Sequence, residues 1–422
     1  MHLPRGFWVP CLLGMLVAGC RPTMPAPVTA EVMDALARRY VALTRALALH
    51  DRSLIDHWLV PEPATEPRRP VAPLLAESSA LLQEVDAIPA ARPGSDDAWR
   101  LGYLQGQVRA LHLQARRLAG ASTTLAEEAR DGLGVTLAAV RADDAAAHRA
   151  EIARHVPGEG PLAPRVAAWM ARFRAPETLR QPFFRVALAT CQSAAQPALG
   201  AAVAGPVDVT FVDGLPWDAH ARRLDTGDTR IDVRAGPALS MTRVLRLACH
   251  EGAAGHQAQY AWRALRAQGA TGWPELAFIP GFGPDLLLAE GGADAAVALA
   301  MPRARRLEVY RRLLGPMLPA GARPTDAELE RLVAIEDALQ ALEPIIGEVA
   351  ATYLDGIRGT EDALTRLREE ALVADADDML RFIEQRRARV LAYTLGRHHV
   401  LTTRAVSSLE ALRPLFPPAP GR

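Results

Sequence analysis

The sequence predicts a mainly α-helical protein with one small β-sheet, which precedes the segment richest in chemistry. Apolar residues recur three or four positions apart over most of the chain, the period of a helix with one buried face. Only residues 206–234 depart from that period, and they are rich in β-branched side chains. Of the 422 residues, 50% are apolar and 23% are charged, and the formal net charge of zero gives no indication of a nucleic-acid partner.

Residues 1–19 are typical of an export signal. A short basic start precedes an apolar stretch that is too short for the roughly 20 residues of a spanning helix, and small residues precede Cys20. Residues 17–20 resemble the lipobox of bacterial lipoproteins, which makes Cys20 the lipid-bearing first residue of the mature chain. An ordinary secretory signal with an incidental cysteine is the alternative. An inner-membrane retention signal has Asp directly after the lipidated cysteine, whereas this chain has Arg21 there. We therefore expect an exported lipoprotein, with the outer membrane favoured. A tether at 20–27 would hold it on the periplasmic face or at the cell surface.

Residues 28–180 form the predicted N-terminal helical region. Two apolar stripes mark helices that stack as hairpins. The first stripe is Val32, Leu36, Tyr40, Leu43 and Leu47, and the second is Leu101, Leu104, Val108, Leu111 and Leu118. A proline-rich connection at 61–70 separates two helices, and residues 94–96 supply turn and N-cap chemistry before another.

The predicted strands are 207–212, which is rich in β-branched residues, and 229–234, which alternates apolar with charged residues. The second strand either pairs at an edge with an extended substrate or simply covers the helix that follows. Further helices are predicted at 240–266, 285–299, 303–314, 325–354 and 375–410. Thr325 with Glu328 three residues on predicts a capping box at the start of the fourth of these helices.

The chain has four cysteines, of which Cys11 is removed with the signal and Cys20 is lipidated. Cys191 and Cys249 remain, in a compartment that we expect to be oxidising. One disulfide and two separate buried thiols are both compatible with their spacing.

The residues that point to catalytic chemistry are concentrated in the segment 248–257. His250 is followed directly by Glu251, and His256 lies nearby, as in zinc hydrolases that hold the metal with imidazoles and place a carboxylate base beside it. The six-residue spacing is unusual, because two such histidines point about 120° apart on a regular helix. Gly252 and Gly255 would tolerate a kink, a widened turn or a helix end between them.

Residues 250–259 read His-Glu-Gly-Ala-Ala-Gly-His-Gln-Ala-Gln. They resemble the His-Glu-x-x-Pro-Gly-His signature of a large bacterial group called domain of unknown function 885, many of whose members are lipoproteins similar to gluzincin-type zinc peptidases. In that group the six-residue spacing is the rule. Residues 290–293 resemble its downstream Glu-Gly-Trp-Ala-type motif, and residues 393–396 resemble its Tyr-x-x-Gly segment. This chain departs from the group in having Ala254 in place of Pro and Gly292 in place of Trp.

The resemblance implies a multi-helix, zinc-peptidase-like body with its small sheet next to the metal-site helix. His250, His256 and Glu290 are the implied zinc ligands, with a water completing the shell and Glu251 as general base. Asp294 lies one helical turn beyond Glu290. It either accepts a hydrogen bond from a ligating imidazole or lies on a solvated helix face.

Other polar side chains receive weaker expectations. Tyr393 either stabilises an oxyanion in the site or is a buried structural tyrosine. His398 and His399 are expected at the surface, since neighbours in a helix diverge by about 100°. No functional role is expected for the isolated histidines, such as His148, His155 and His220.

These features favour a lipid-anchored, zinc-dependent hydrolase of peptide or related amide bonds, with a catalytic region at 181–422 packed as one body with residues 28–180. The alternative is a non-catalytic helical lipoprotein that keeps a degenerate metal site and binds a partner or ligand, and the missing Pro and Trp motivate it. Other chemistries find little support, because the chain has no Lys for a Schiff base, no phosphate loop and no Gly-x-Ser-x-Gly elbow.

Overall fold

The computed structural model describes residues 29–137, 142–203, 205–215, 217–235, 239–269 and 271–419. Over these residues the protein is mainly α-helical, as predicted. The predicted signal at 1–19, the predicted lipidation site Cys20 and the predicted tether at 20–27 lie outside the described residues. Within the described ranges, none of the helices combines the length and apolar character that crossing a bilayer requires.

Three long helices form the start of the described chain: α1 (Ala30–Ala48), α2 (Val71–Asp86) and α3 (Asp96–Leu118). The two predicted stripes lie in α1 and α3 and are buried or partly buried in one apolar cluster, except Val32, which is 48% exposed in the first turn of α1. Ser95 caps α3 as predicted, because its side chain accepts a hydrogen bond from the Ala98 N–H.

Shorter helices follow, and they join a second and larger apolar cluster. They are α4 (Leu125–Glu127), which continues as a π-helix to Leu133, α5 (Ala142–His155), α6 (Leu162–Ala171) and α7 (Arg180–Leu199). The predicted division of the chain at residue 180 stays a prediction.

A three-stranded sheet follows α7. Its strands are β2 (Val207–Val212), β3 (Ala219–Arg223) and β4 (Thr229–Arg234), in the spatial order β2-β4-β3, with β2 parallel and β3 antiparallel to β4. Of the two alternatives for 229–234, pairing with a substrate at a sheet edge is therefore excluded. Ile231 pairs with a residue on each side, Val209 and Ala221, so no ladder edge of β4 is left for a substrate.

Three strands were not predicted, β3 of this sheet and two strands of a second sheet. β1 (Ile55–Trp58) lies between α1 and α2, and it pairs antiparallel with β5 (Phe278–Pro280). β5 is a three-residue strand and β1 has only four residues, so neither offers a readable alternation. This pair ties the first part of the chain to the region just before the helix that carries Glu290.

The remaining helices form the C-terminal body. They are α8 (Met241–Glu251), α9 (His256–Ala267), α10 (Gly283–Ala300), α11 (Arg303–Val309), α12 (Asp326–Leu342), α13 (Pro344–Leu354), α14 (Thr360–Glu369), α15 (Ala376–Arg386) and α16 (Val390–His398).

Three of the predicted helices are corrected by the structure. The helix predicted at 240–266 breaks at the glycines after Glu251, and the one predicted at 325–354 breaks before Pro344, which suits a first helical turn but not a helix interior. The helix predicted at 375–410 is α15 and α16, and α14 was not predicted. The capping box at Thr325 and Glu328 is confirmed.

Candidate metal centre

A four-residue turn brings the two motif histidines together. α8 ends at Glu251 and α9 begins at His256, because residues 252–255 leave helical geometry. The ring centroids of His250 and His256 lie 4.8 Å apart, with the ring planes at 87°. Of the options that the glycines allowed, the helix end is the one the structure adopts, and it removes the conflict of a six-residue spacing on a regular helix.

Close backbone contacts in this turn require glycine at two positions. A Cβ at Gly255 would lie 1.9 Å from the carbonyl oxygen of His250, and a Cβ at Gly252 would lie 2.4 Å from that of Ala248. Both distances are far inside van der Waals contact. Ala254, which stands where the resembled group has Pro, is buried in the turn. The turn therefore forms without a proline.

Glu290 reaches the two histidines from α10. Its Oε2 lies 3.2 Å from Nε2 of His250 and 3.6 Å from Nε2 of His256. One ligand atom from each of the three residues lies within 4.8 Å of the others. Zinc bonds of 2.0–2.1 Å at tetrahedral angles put neighbouring ligand atoms roughly 3.3 Å apart, and the two distances to Glu290 lie near that value.

The second ring nitrogen of each histidine is already engaged. Nδ1 of His250 lies 3.0 Å from Oδ1 of Asp294, and Nδ1 of His256 lies 3.1 Å from Oε1 of Gln259. These oxygens are hydrogen-bond acceptors, so each Nδ1 donates and each Nε2 is directed toward Glu290. Asp294 is only 5% exposed, which is incompatible with the solvated face considered for it.

The electrostatics of the centre follow from these contacts. Burial favours the neutral form of Glu290, but the charges and hydrogen bonds of His256 and His250 lower its pKa to about 2. Burial also lowers the pKa of His250, but the carboxylates of Asp294 and Glu290 reverse this effect and raise that pKa well above its usual range. The charged forms of Glu290 and the imidazoles therefore stabilise one another.

Glu251, the predicted base, is buried at the end of α8. Its Oε2 accepts a hydrogen bond of 2.9 Å from the backbone N–H of Ala221 on β3. Its carboxylate acts electrostatically on both His250 and His256, raising the pKa of each. β3, and not the predicted strand 229–234, is thus the strand that contacts the candidate site.

Tyr393 lies on α16, which crosses α10 beside Glu290. The helices approach so closely that a Cβ at Gly291 would lie 2.4 Å from the backbone of Gly396. The Tyr393 side chain is 39% exposed, so it is not a buried structural tyrosine. Burial and then the charge of Glu290 raise the pKa of Tyr393 well above the usual range.

The position of the missing Trp is covered by another aromatic residue. A Cβ at Gly292 would lie 2.9 Å from Cζ of Phe416, and the Phe416 ring packs against Trp262, with centroids 5.5 Å apart. Phe416 comes from the C-terminal segment of the chain and is buried. A large apolar side chain therefore does lie at this place, supplied from elsewhere in the sequence.

Cys191 and Cys249 form a disulfide, which settles the alternative left open by their spacing. The bond joins α7 to α8 one residue before His250. His398 is exposed, in keeping with the surface position predicted for it.

Sequence reasoning missed a second group of polar side chains close to the centre. Asp56, His57 and His220 lie together, although no role was expected for His220. The ring of His57 meets Tyr260 edge-on, and Tyr260 stacks on His256. The adjacent Asp56-His57 pair was the one signal in the sequence, and nothing linked it to a histidine more than 160 residues away.

The chain matches no family model and no curated protein. Among solved structures it is similar to the crystal structure of a "putative lipoprotein" from Colwellia psychrerythraea, with 13% sequence identity and a TM-score of 0.45. The likeness covers 79% of this chain and 60% of that one, so this chain spans less than two thirds of its length. A likeness of this degree supports no argument about family, activity or location, and the resemblance to domain of unknown function 885 stays a prediction.

Proposed function

We propose that this protein is a zinc-dependent hydrolase of peptide or related amide bonds. The observation that carries the proposal is the convergence of Nε2 of His250 and Nε2 of His256 on Oε2 of Glu290, at 3.2 and 3.6 Å. Two imidazoles and one carboxylate, with one position left for water or substrate, are the donor set of catalytic zinc sites. An incidental surface cluster would not have both Nδ1 atoms engaged by buried acceptors.

Each side chain then has a task that its contacts support. A zinc ion held by these three residues would supply Lewis-acid chemistry for hydrolysis. Glu251 accepts a proton from the attacking water, and the Ala221 N–H fixes one of its two carboxylate oxygens. Asp294 and Gln259 fix the orientation of the imidazoles, and the phenol of Tyr393 donates to the developing oxyanion.

We also propose that this chemistry takes place outside the cytoplasm, on a chain anchored to a membrane through lipid at Cys20, with the outer membrane favoured. The support is the lipobox-like sequence at 17–20 and the disulfide between Cys191 and Cys249, since disulfides persist in oxidising compartments.

Metal analysis and a peptide library test the proposed activity on a chain lacking residues 1–20. We expect wild type to contain at least one zinc per chain and Glu290→Ala to contain one fewer. Glu251→Gln should keep the zinc and lose cleavage by at least about 100-fold, the low end for loss of a general base. Glu308→Gln, which changes an exposed carboxylate on α11, is the matched control and should change neither property.

Two results would count against the proposal. An equal metal content in wild type and Glu290→Ala would remove the zinc assignment. Zinc binding with no cleavage that depends on Glu251 would favour the alternative, a lipoprotein that keeps a degenerate site and binds a partner or ligand.

A further inference from the structure

The second polar group has the same donor set as the first centre. Asp56 and His57 come from β1 and His220 comes from β3, and one ligand atom of each lies within 4.8 Å of the other two. Oδ2 of Asp56 lies 2.9 Å from Nδ1 of His57 and 2.8 Å from Nε2 of His220. Two imidazoles thus contact one carboxylate oxygen. Together the three side chains form a donor set that can bind a divalent cation.

An irregularity in β1 makes this arrangement possible. Ile55 pairs with Pro280 and His57 pairs with Ile279, so Asp56 is an extra residue in the ladder. Successive side chains of a regular strand point to opposite faces, whereas a bulge re-aims one of them. The bulge allows Asp56 to contact the imidazole of the residue that follows it.

His57 is a buried member of the cluster. Its side chain is only 9% exposed, and its Nδ1 is the ring nitrogen that faces Asp56. Nδ1 is therefore the atom that His57 would offer to a metal in this cluster. A neutral imidazole that binds a metal through Nδ1 carries its proton on Nε2.

Tyr260 separates the second group from the first centre. Its ring stacks on His256, with centroids 5.3 Å apart, and the ring of His57 meets it edge-on at 4.9 Å. Metal ions that share a bridging ligand lie about 3.5–4 Å apart, which an intervening phenol ring does not allow. A second ion would therefore be mononuclear.

We propose that Asp56, His57 and His220 bind a second divalent transition-metal ion, zinc or a metal of similar preference. The ion joins β1 to β3 beside Tyr260, which stacks on His256 of the candidate centre. His220 directly precedes Ala221, whose N–H holds Glu251, so the ion also steadies the strand that positions the base. This last consequence rests on the proposed function, whereas the metal site itself does not.

Zinc and cobalt binding by the full chain in detergent tests the second site. In a Glu290→Ala background, which removes the first centre, we expect one zinc per chain and a melting temperature that rises with added zinc, since a ligand that binds only the folded state stabilises it. Adding His220→Ala should abolish both the binding and the rise. Adding His398→Ala instead, which removes an exposed histidine on α16, should leave both unchanged.

Several outcomes would overturn the proposal. One is that the Glu290→Ala chain binds no metal. Another is that its metal binding is unaffected by His220→Ala. In either case Asp56, His57 and His220 are only hydrogen-bonded to one another. If Glu290→Ala fails to fold, the same comparison is made in His250→Ala, and in wild type His220→Ala should lower the zinc content from two to one. Failure of the first centre is a separate result, since it shows as equal metal content in wild type and Glu290→Ala.

Discussion

A proton competes with zinc at His250. Burial lowers the pKa of this imidazole, but the carboxylates of Asp294 and Glu290 raise it well above the usual range, so the ring holds its proton more tightly than an ordinary histidine does. Zinc binds only the neutral ring and must displace that proton. We therefore expect zinc affinity to keep rising with pH above 7, where an ordinary histidine is already neutral.

Calorimetric titration with zinc at pH 7, in two buffers of different ionisation enthalpy, measures the protons released. The His220→Ala background confines binding to the first centre. We expect Asp294→Asn to release fewer protons than its parent, because the neutral amide no longer raises the pKa of His250. Asp337→Asn, which removes a carboxylate paired with Arg303, is the control. Equal release by Asp294→Asn and its parent would contradict the argument.

Those residues of the candidate site that lie close together in the sequence could be predicted from it. His250, Glu251 and His256 lie in ten consecutive residues, and the resemblance of residues 290–293 to a second motif pointed to Glu290, which the structure places beside both imidazoles. The cluster of His57 and His220 could not be predicted, because its members lie on two short strands of different sheets, and neither strand has a clear alternation.

The crossing of α10 and α16 depends on Gly291. A Cβ there would lie 2.4 Å from the backbone of Gly396, so an alanine forces the helices apart. Over-packing of this kind typically costs 1–3 kcal/mol, and we expect Gly291→Ala to lower the free energy of unfolding by roughly 2 kcal/mol in urea denaturation. It should also weaken zinc binding, since Glu290 lies next to it.

Gly102→Ala on α3 is the matched control for that substitution. A Cβ at Gly102 meets no atom within 4 Å, so alanine should stabilise the helix by about 0.5–1 kcal/mol. A stability loss in both variants would show that the helix crossing is not the cause.

Burial of Glu336 between α12 and α11 makes stability depend on pH. Burial raises its pKa to about 7, although Arg306 and the Tyr310 hydroxyl both favour the ionised form. The carboxyl binds its proton more tightly in the folded chain than in the unfolded one, where its pKa is about 4.5. Stability therefore falls as pH rises from about 4.5 to about 7, by roughly 3 kcal/mol at most, and the loss is complete above that range.

Thermal melting at pH 5 and pH 8 measures this effect. We expect Glu336→Gln to melt above wild type at pH 8 by several degrees and close to wild type at pH 5. Glu330 is an exposed partner of Arg303 and lies in the same helix as Glu336. Glu330→Gln should show no such difference between the two pH values. An equal shift at both pH values would contradict a raised pKa.

Element types followed from the sequence better than element boundaries and strand order. The 3.6-residue period of α1 and α3 and the capping box of α12 are local properties, and the structure confirms them. The central position of β4 is not local, because it depends on β3, whose alanine and arginine residues give little strand signal.

At the scale of the whole molecule, the candidate centre is assembled from distant parts of the chain. α8 and α9 supply the imidazoles, α10 supplies Glu290, β3 holds Glu251, and α16 brings Tyr393. Each of these elements packs on another of them or on the larger apolar cluster, so the geometry of the site depends on the packing of the whole body.

The disulfide between Cys191 and Cys249 links two helices that are distant in the sequence, α7 and α8. Cys249 directly precedes His250. It closes a loop over a sequence separation of 58 residues, for which the chain-entropy model gives about 4 kcal/mol of stabilisation. We expect Cys191→Ser with Cys249→Ser to lower the free energy of unfolding by up to that amount, measured by urea denaturation. Reductant should lower wild type to the same extent and leave the double variant unchanged. A wild type that is indifferent to reductant would show that the two thiols are not bonded in the protein.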